Sequence, residues 1–202
     1  TPSAKQNRAA ARAVVKSVMA EPFARGIDRI REHLGWQPHI LYMSPRGKVL
    51  SQEDAKRLAK EPGLLLLCGH YEGLDQRLLD EYGVEEISVG DYVLTGGELP
   101  AMILTDAVSR MLPGVLSEEA CFTEESHYSG LLEYPQYTRP EVWRGRPVPE
   151  VLLSGHHGNI AKWRRAQALA VTKSNRPDLW ERVKLTKEDH MLLQTLEETP
   201  DF

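Results

Sequence analysis

Ser88-Val89-Gly90-Asp91-Tyr92-Val93-Leu94-Thr95-Gly96-Gly97-Glu98-Leu99-Pro100-Ala101-Met102 joins the end of a short apolar run to the start of a helix through a loop that holds three glycines. Glu86 to Val89 reads as the strand. Pro100 reads as the first helical residue, where its missing N–H would have no intrahelical partner anyway. Leu104, Ala107, Val108 and Met111 then recur at helical spacing, and Pro113-Gly114 ends the pattern. Gly90, Gly96 and Gly97 let the backbone approach a ligand or adopt positive φ, while Tyr92 and Leu94 are suited to flank a flat aromatic group.

The same order repeats upstream. Leu64 to Cys68 reads as a strand, Gly69-His70-Tyr71-Glu72-Gly73 as a loop, and a helix follows that ends near Tyr82-Gly83. Before it, His39-Ile40-Leu41-Tyr42-Met43 reads as a buried strand and Ser44-Pro45-Arg46-Gly47 as a turn. Ser51 to Asp54 has capping-box spacing ahead of a helix through Lys60. Ala4 to Ala20 has helical composition, interrupted by Glu21-Pro22. Phe23, Ile27, Ile30 and Leu34 then form one stripe of a second helix that Gly35 closes. Strands alternating with helices predict an α/β fold with a mostly parallel sheet covered on both faces. In such sheets the loops after the strands gather at the carboxyl ends, where ligands bind. Any one of the three loops is explained as well by a tight turn; three in series predict a cofactor pocket.

Beyond the third helix the pattern changes. Residues 116–130 mix acids with small polar residues without a sustained period and read as a flexible linker. A proline-rich stretch from Pro135 to Pro149 precedes helical segments at Ile160 to Thr172, Pro177 to Val183 and, behind a cap, from Thr186. The chain thus divides into a cofactor-binding α/β domain (1–115), the linker (116–130) and a small α-helical domain (131–202).

Composition narrows the class. The net charge of -4 excludes a uniformly basic nucleic-acid binder, but Lys5, Arg8, Arg12, Lys16, Arg25, Arg29 and Arg31 face only Glu21 and Asp28 in residues 1–31. A second basic zone spans Arg139 to Arg176. These zones suit RNA phosphates or, equally at this stage, solvated helix faces. Cys68 and Cys121 lack partners at metal-ligand spacing, and no apolar run is long enough for a membrane span, so a cytoplasmic protein with reduced thiols is expected. No G-x-G-x-x-G fingerprint follows a strand, and neither a G-x-x-x-x-G-K-[ST] loop nor a G-x-S-x-G elbow is present. Dinucleotide, nucleotide-hydrolysing and serine-hydrolase chemistry lose support. His156-His157 has no H-E-x-x-H frame and reads as polar loop rather than metal site.

The run Ser88 to Met102 resembles the signature of the tRNA (guanine-N1)-methyltransferases, the TrmD family. Cys68 to Gly73, Tyr42 to Gly47, Pro135 to Glu141 and Leu152 to Trp163 resemble family blocks in the same order, so the resemblance covers about residues 18–202. It implies the SPOUT class, with a deep trefoil knot, and a homodimer whose active sites lie between subunits. It implies S-adenosylmethionine as cofactor, held by Tyr42, Ser44, Pro45, Gly69, Tyr71, Glu72, Ser88, Val89, Gly90, Tyr92, Leu94, Gly96, Gly97 and Pro100. Magnesium is implied too, without a ligand that the sequence names. Two departures stand out. Family members carry a first strand and a glycine-rich stretch before the segment that matches Val18 to Phe23, so the N-terminal part here is expected to be incomplete or altered. The family's linker aspartate falls on Glu125.

Guanine N1 carries a proton at neutral pH, so methylating it requires a base and a cation facing O6. The resemblance puts Glu125 in the first role, with Glu124 as its rival. Arg110 is expected in the second, against an i,i+4 pair with Asp106. Arg144, Lys162, Arg164 and Arg165 are the candidates to grip the tRNA backbone, and the guanine immediately 3′ of the anticodon is the implied target. Two other readings remain: a related knotted RNA methyltransferase acting on a ribose 2′-oxygen or another base, and a catalytically weak RNA- or cofactor-binding module.

Overall fold

The central strand β1 (His39–Val49) has apolar side chains on both of its faces, and the fold is built around that fact. In the computed structural model, which describes residues 19–70, 73–115, 126–127 and 130–198, β1 lies between β2 (Leu64–Leu67) and β3 (Glu85–Ser88) in a three-stranded parallel sheet. Successive side chains of a strand point to opposite faces. Leu41 and Met43 therefore pack with Ile87 against α2 (Gln52–Leu58) and α4 (Glu98–Ser109), which contribute Ala55, Leu58, Ala101, Leu104 and Val108. Ile40 and Tyr42 pack with Leu67 on the other face against α1 (Ala20–Leu34) and α3 (Gln76–Tyr82), through Ile27, Leu78 and Leu79. The expected parallel sheet covered on both faces is present.

Local sequence sets the helix boundaries. Ser51 accepts a hydrogen bond from the Asp54 N–H while Asp54 accepts from the Ser51 N–H, a reciprocal cap that starts α2. Burial by itself raises the Asp54 carboxyl pKa, but bonds from Lys48 and Ser51 outweigh it and hold the group below its ordinary value. Gly35, at φ 71°, ends α1 in the left-handed conformation expected of it.

Four details differ from the sequence reading. Ser44 to Gly47 is not a turn between elements but a bulge inside β1: Met43 and Lys48 both pair with Ile87, so the four residues between them loop out of the ladder. Pro22 lies within the first turn of α1, and Pro100 is the third rather than the first residue of α4. Both sit where helical N–H groups have no partner to lose. Ile30 and Leu34 are exposed, leaving Ile27 and Phe23 to seat α1. The proline-rich stretch contains a two-stranded antiparallel ribbon, β4 (Val142–Trp143) and β5 (Arg146–Pro147), and a short helix α5 (Glu150–Leu153).

The chain divides into two compact units at Leu116/Ser117. In the second, α6 (His157–Asn175) packs against α7 (Pro177–Trp180) and α8 (Lys187–Glu198), with Trp163, Leu169 and Leu192 buried. Asp189 ties this unit together. Its carboxylate takes two bonds from the Arg165 guanidinium, at 2.8 and 3.0 Å, and one from the Thr186 N–H, while the Thr186 hydroxyl accepts from the Asp189 N–H. Among the described residues no helix is long and apolar enough to cross a membrane.

Asp189→Asn removes the charge that Arg165 faces and is expected to lower stability by about 1–3 kcal/mol. The Arg165 bonds hold the Asp189 carboxyl down to about 2. Its stabilising contribution is therefore complete above the ordinary carboxylate range and is lost as pH falls through that range towards about 2. Thermal melts of both proteins between pH 7 and pH 2 should converge at the acid end; a gap that stays constant with pH would exclude this pair as its source.

Candidate functional site

The bulge of β1, the loop after β2 and the loop after β3 meet at the carboxyl ends of the parallel strands. They enclose a cleft lined by Tyr42, Ser44, Pro45, Gly69, Ser88, Val89, Tyr92, Leu94, Gly96, Gly97 and Pro100. Every one of these residues was expected there from the sequence. Met43, Ile87, Val93 and Thr95 complete the lining. Met43 and Ile87 reach it as the last core residues of their strands, a placement that residue type alone does not signal. Gly90 adjoins the lining, whereas Tyr71 and Glu72 lie outside the described residues.

Backbone proximity makes the cleft. The Gly97 N–H donates to the Gly69 carbonyl at 3.1 Å, so the two loops are joined directly. A Cβ on Gly97 would lie 2.8 Å from the Cys68 Cα, and one on Gly69 would lie 2.8 Å from the Tyr42 hydroxyl oxygen. Only glycine permits either approach. The loop after β3 is held by its own side chains: the Ser88 hydroxyl donates to the Gly90 carbonyl and accepts from the Gly90 N–H, and the Tyr92 hydroxyl donates to the Val89 carbonyl. The Ser44 hydroxyl accepts from the Arg46 N–H in the bulge.

The enclosed volume is small, about 90 Å³, so a ligand of nucleoside size would lie largely against loop walls that open to solvent. Tyr92 and Val93 on that loop are 55% and 81% exposed. Charge stays at the rim. Glu98, whose carboxyl is held below its ordinary value first by its own N–H at the start of α4 and then by His70, pairs with His70 at 2.7 Å. Arg46 pairs with Glu86 at 2.8 Å. Burial pushes the Tyr42 phenol and the Cys68 thiol up, so both remain protonated and neutral near pH 7. The wall is thus composed of backbone, hydroxyls and apolar surface.

Arg110 is the half-buried residue that caps the C-terminal end of α4, and Glu125 lies outside the described residues together with Glu124. In the second unit, Arg144 and Lys162 are exposed, and the Arg144 guanidinium lies over the Trp143 ring. Arg164 stacks over Tyr134. Arg165 is engaged by Asp189 and supports the fold of its unit. Among the described residues no group of three or more His, Cys, Asp or Glu side chains is placed to hold a metal ion.

Residues 13–182 match the family described as tRNA (Guanine-1)-methyltransferase TrmD. A tRNA (guanine-N(1)-)-methyltransferase of Alkaliphilus oremlandii (strain OhILAs) is 61% identical over 160 residues, which are 79% of this chain and 64% of that protein. One of Ruminiclostridium cellulolyticum (strain ATCC 35319 / DSM 5812 / JCM 6584 / H10) is 58% identical over 166 residues, 82% of this chain and 71% of that protein. One of Ruegeria pomeroyi (strain ATCC 700808 / DSM 15171 / DSS-3) is 55% identical over 150 residues, 74% of this chain and 62% of that protein. The chain spans roughly two thirds of the length of these relatives.

The glycines give a direct check on the cleft. Gly97→Ala forces Cβ against the Cys68 backbone and is expected to cost about 1–3 kcal/mol. Gly26→Ala, in the interior of α1 with nothing within 4 Å of the added carbon, is expected to gain about 0.5–1 kcal/mol. Denaturant titrations of the two variants measure both signs, and equal effects would contradict the close approach at Gly97.

Proposed function

This chain belongs to the tRNA (Guanine-1)-methyltransferase TrmD family, and we propose from that membership that it binds S-adenosylmethionine and methylates N1 of the guanine 3′ of a tRNA anticodon. The observation that carries the proposal is the cleft where Gly97 and Gly69 meet backbone to backbone. It offers N–H and C=O groups and flat side chains without a fixed charge on the wall, which suits an adenosine. When bound, S-adenosylmethionine supplies the electrophilic methyl group.

The protein's part is to hold, orient and deprotonate. Tyr42, Ser44, Ser88 and the loop from Val89 to Gly97 hold the cofactor, with Tyr71 and Glu72 assigned to it by motif. Glu125 removes the N1 proton and Arg110 faces O6, where negative charge develops. The target base has to leave its helical stack to reach the cleft. Arg144, Lys162 and Arg164 grip the RNA backbone, and Arg165 serves that grip by holding α6 to α8. None of these steps passes through magnesium, and no residue is assigned as its ligand.

Two structural features support finer parts of the reading. The passage of Gly97 against Cys68 and Gly69 supports a deep trefoil knot of the SPOUT class at that point. The outer side of α4 exposes Leu99, Met102 and Ile103, and the loop before it exposes Tyr92 and Val93. Apolar exposure on this scale supports burial against a second copy of the chain and hence the homodimer. The helical second unit supports a separate tRNA-binding domain, and a cytoplasmic location follows from the substrate.

Incubating the chain with a tRNA transcript and labelled S-adenosylmethionine, followed by nucleoside analysis, should yield 1-methylguanosine. Label on a ribose oxygen or another base, or none at all, would overturn the proposal. Glu125→Gln is expected to reduce the single-turnover rate by about 10²- to 10⁴-fold with donor affinity unchanged, and Glu124→Gln to do far less. Equal, small effects would remove the base from this segment.

A further inference from the structure

The ribbon formed by β4 and β5 is exposed, and beyond the phosphate grip of Arg144 the proposed methyl transfer gives its side chains no role. Val142 pairs with Pro147 and Trp143 with Arg146, so Arg144 and Gly145 alone make the turn. Both have positive φ, 52° and 79°, as a type I′ turn requires. Gly145 meets that requirement freely, whereas arginine in the left-handed region is strained and asparagine would be favoured there. The turn holds the Arg144 guanidinium over the Trp143 ring, 4.9 Å from its centroid. Trp143 nevertheless remains 57% exposed.

A tryptophan kept in water on a two-residue turn contributes nothing to a core. Its surroundings point to an anionic, aromatic partner. Arg139, Arg144 and Arg146 stand against Glu141 within the segment 139–147, and all four are exposed. The adjoining groove is lined by Tyr134, Tyr137, Arg139 and Arg164, a second combination of rings and guanidinium groups. Unpaired RNA presents both complements, since its phosphates match the cations and its splayed bases stack on flat side chains.

Building on the tRNA methyltransferase reading, we infer that the ribbon is an RNA-reading element, with Trp143 stacking on an unpaired nucleotide of the tRNA and Arg144 and Arg146 meeting the adjacent phosphates. A cation stands at the tip despite the strain that Arg144 carries there. Stacking by Trp143 and phosphate contact by Arg144 lie on different side chains, so substitution separates them.

The test compares the unsubstituted full chain with Trp143→Ala, Trp143→Phe and Arg144→Asn in tRNA-transcript binding by fluorescence anisotropy across salt concentrations, alongside thermal melts. Arg144→Asn should melt at the same temperature or higher, yet bind more weakly, with the slope of log affinity against log salt reduced by about 1. Trp143→Ala should weaken binding by roughly 5- to 100-fold with the slope unchanged, and Trp143→Phe should restore most of the loss. Variants that bind like the unsubstituted chain, while that chain methylates tRNA, would overturn the ribbon's role and leave the enzymatic reading standing. Failure of the unsubstituted chain to bind tRNA would overturn both.

Discussion

The contact between Gly97 and the Cys68-Gly69 backbone governs the first unit. Strand β1 separates β2 from β3 in the sheet, so the loops that follow the two outer strands have to reach across it to meet. The Gly97 N–H on the Gly69 carbonyl closes that gap, and the Tyr42 ring from β1 fills the space beneath Gly69. The two loops after β2 and β3 and the bulge within β1 become one wall. A side chain at Gly97 would push the two loops apart, and one at Gly69 would meet the Tyr42 ring.

The sheet makes this contact possible by rigidity at its centre. Leu41 and Ile87 on one face and Ile40 and Tyr42 on the other are buried, so β1 cannot slide without exposing side chains on both faces. The bulge from Ser44 to Gly47 uses that fixed register. Because Met43 and Lys48 share Ile87 as partner, the ladder resumes after the bulge, and Ser44 and Pro45 from it line the cleft.

Much of this was legible in the sequence because the signals are local. The Ser51-Asp54 spacing gave its reciprocal cap, Gly35 its left-handed stop, and the glycine loop its place after β3. The bulge was not legible: Ser-Pro-Arg-Gly carries strong turn chemistry, and only the pairing of distant Ile87 with residues on both sides keeps it within a strand. The exposed ends of the α1 stripe, Ile30 and Leu34, have the spacing of core residues, and spacing does not record how far a sheet extends beneath a helix. The Trp143-Arg144-Gly145-Arg146 ribbon was hidden by the prolines around it and by Arg-Gly in place of the Asn-Gly or Asp-Gly that signals a two-residue hairpin turn. Arg165 looked like a surface cation, since its partner Asp189 lies 24 residues away and no period connects them.

Charge is arranged oppositely in the two units, and this bears on what each can hold. At the rim of the cleft, His70 is matched by Glu98 and Arg46 by Glu86, and the lining is hydroxyls, backbone and apolar carbon. Such a wall selects by shape and hydrogen bonding, which salt scarcely affects. In the second unit Arg139, Arg144, Arg146 and Lys162 are exposed around rings that also remain in water. Their attraction for a polyanion acts over a Debye length of about 8 Å at physiological ionic strength and weakens as salt is added. On the proposed function, a cofactor on the first unit and an RNA on the second would be held by forces of different range, so salt would release one without releasing the other.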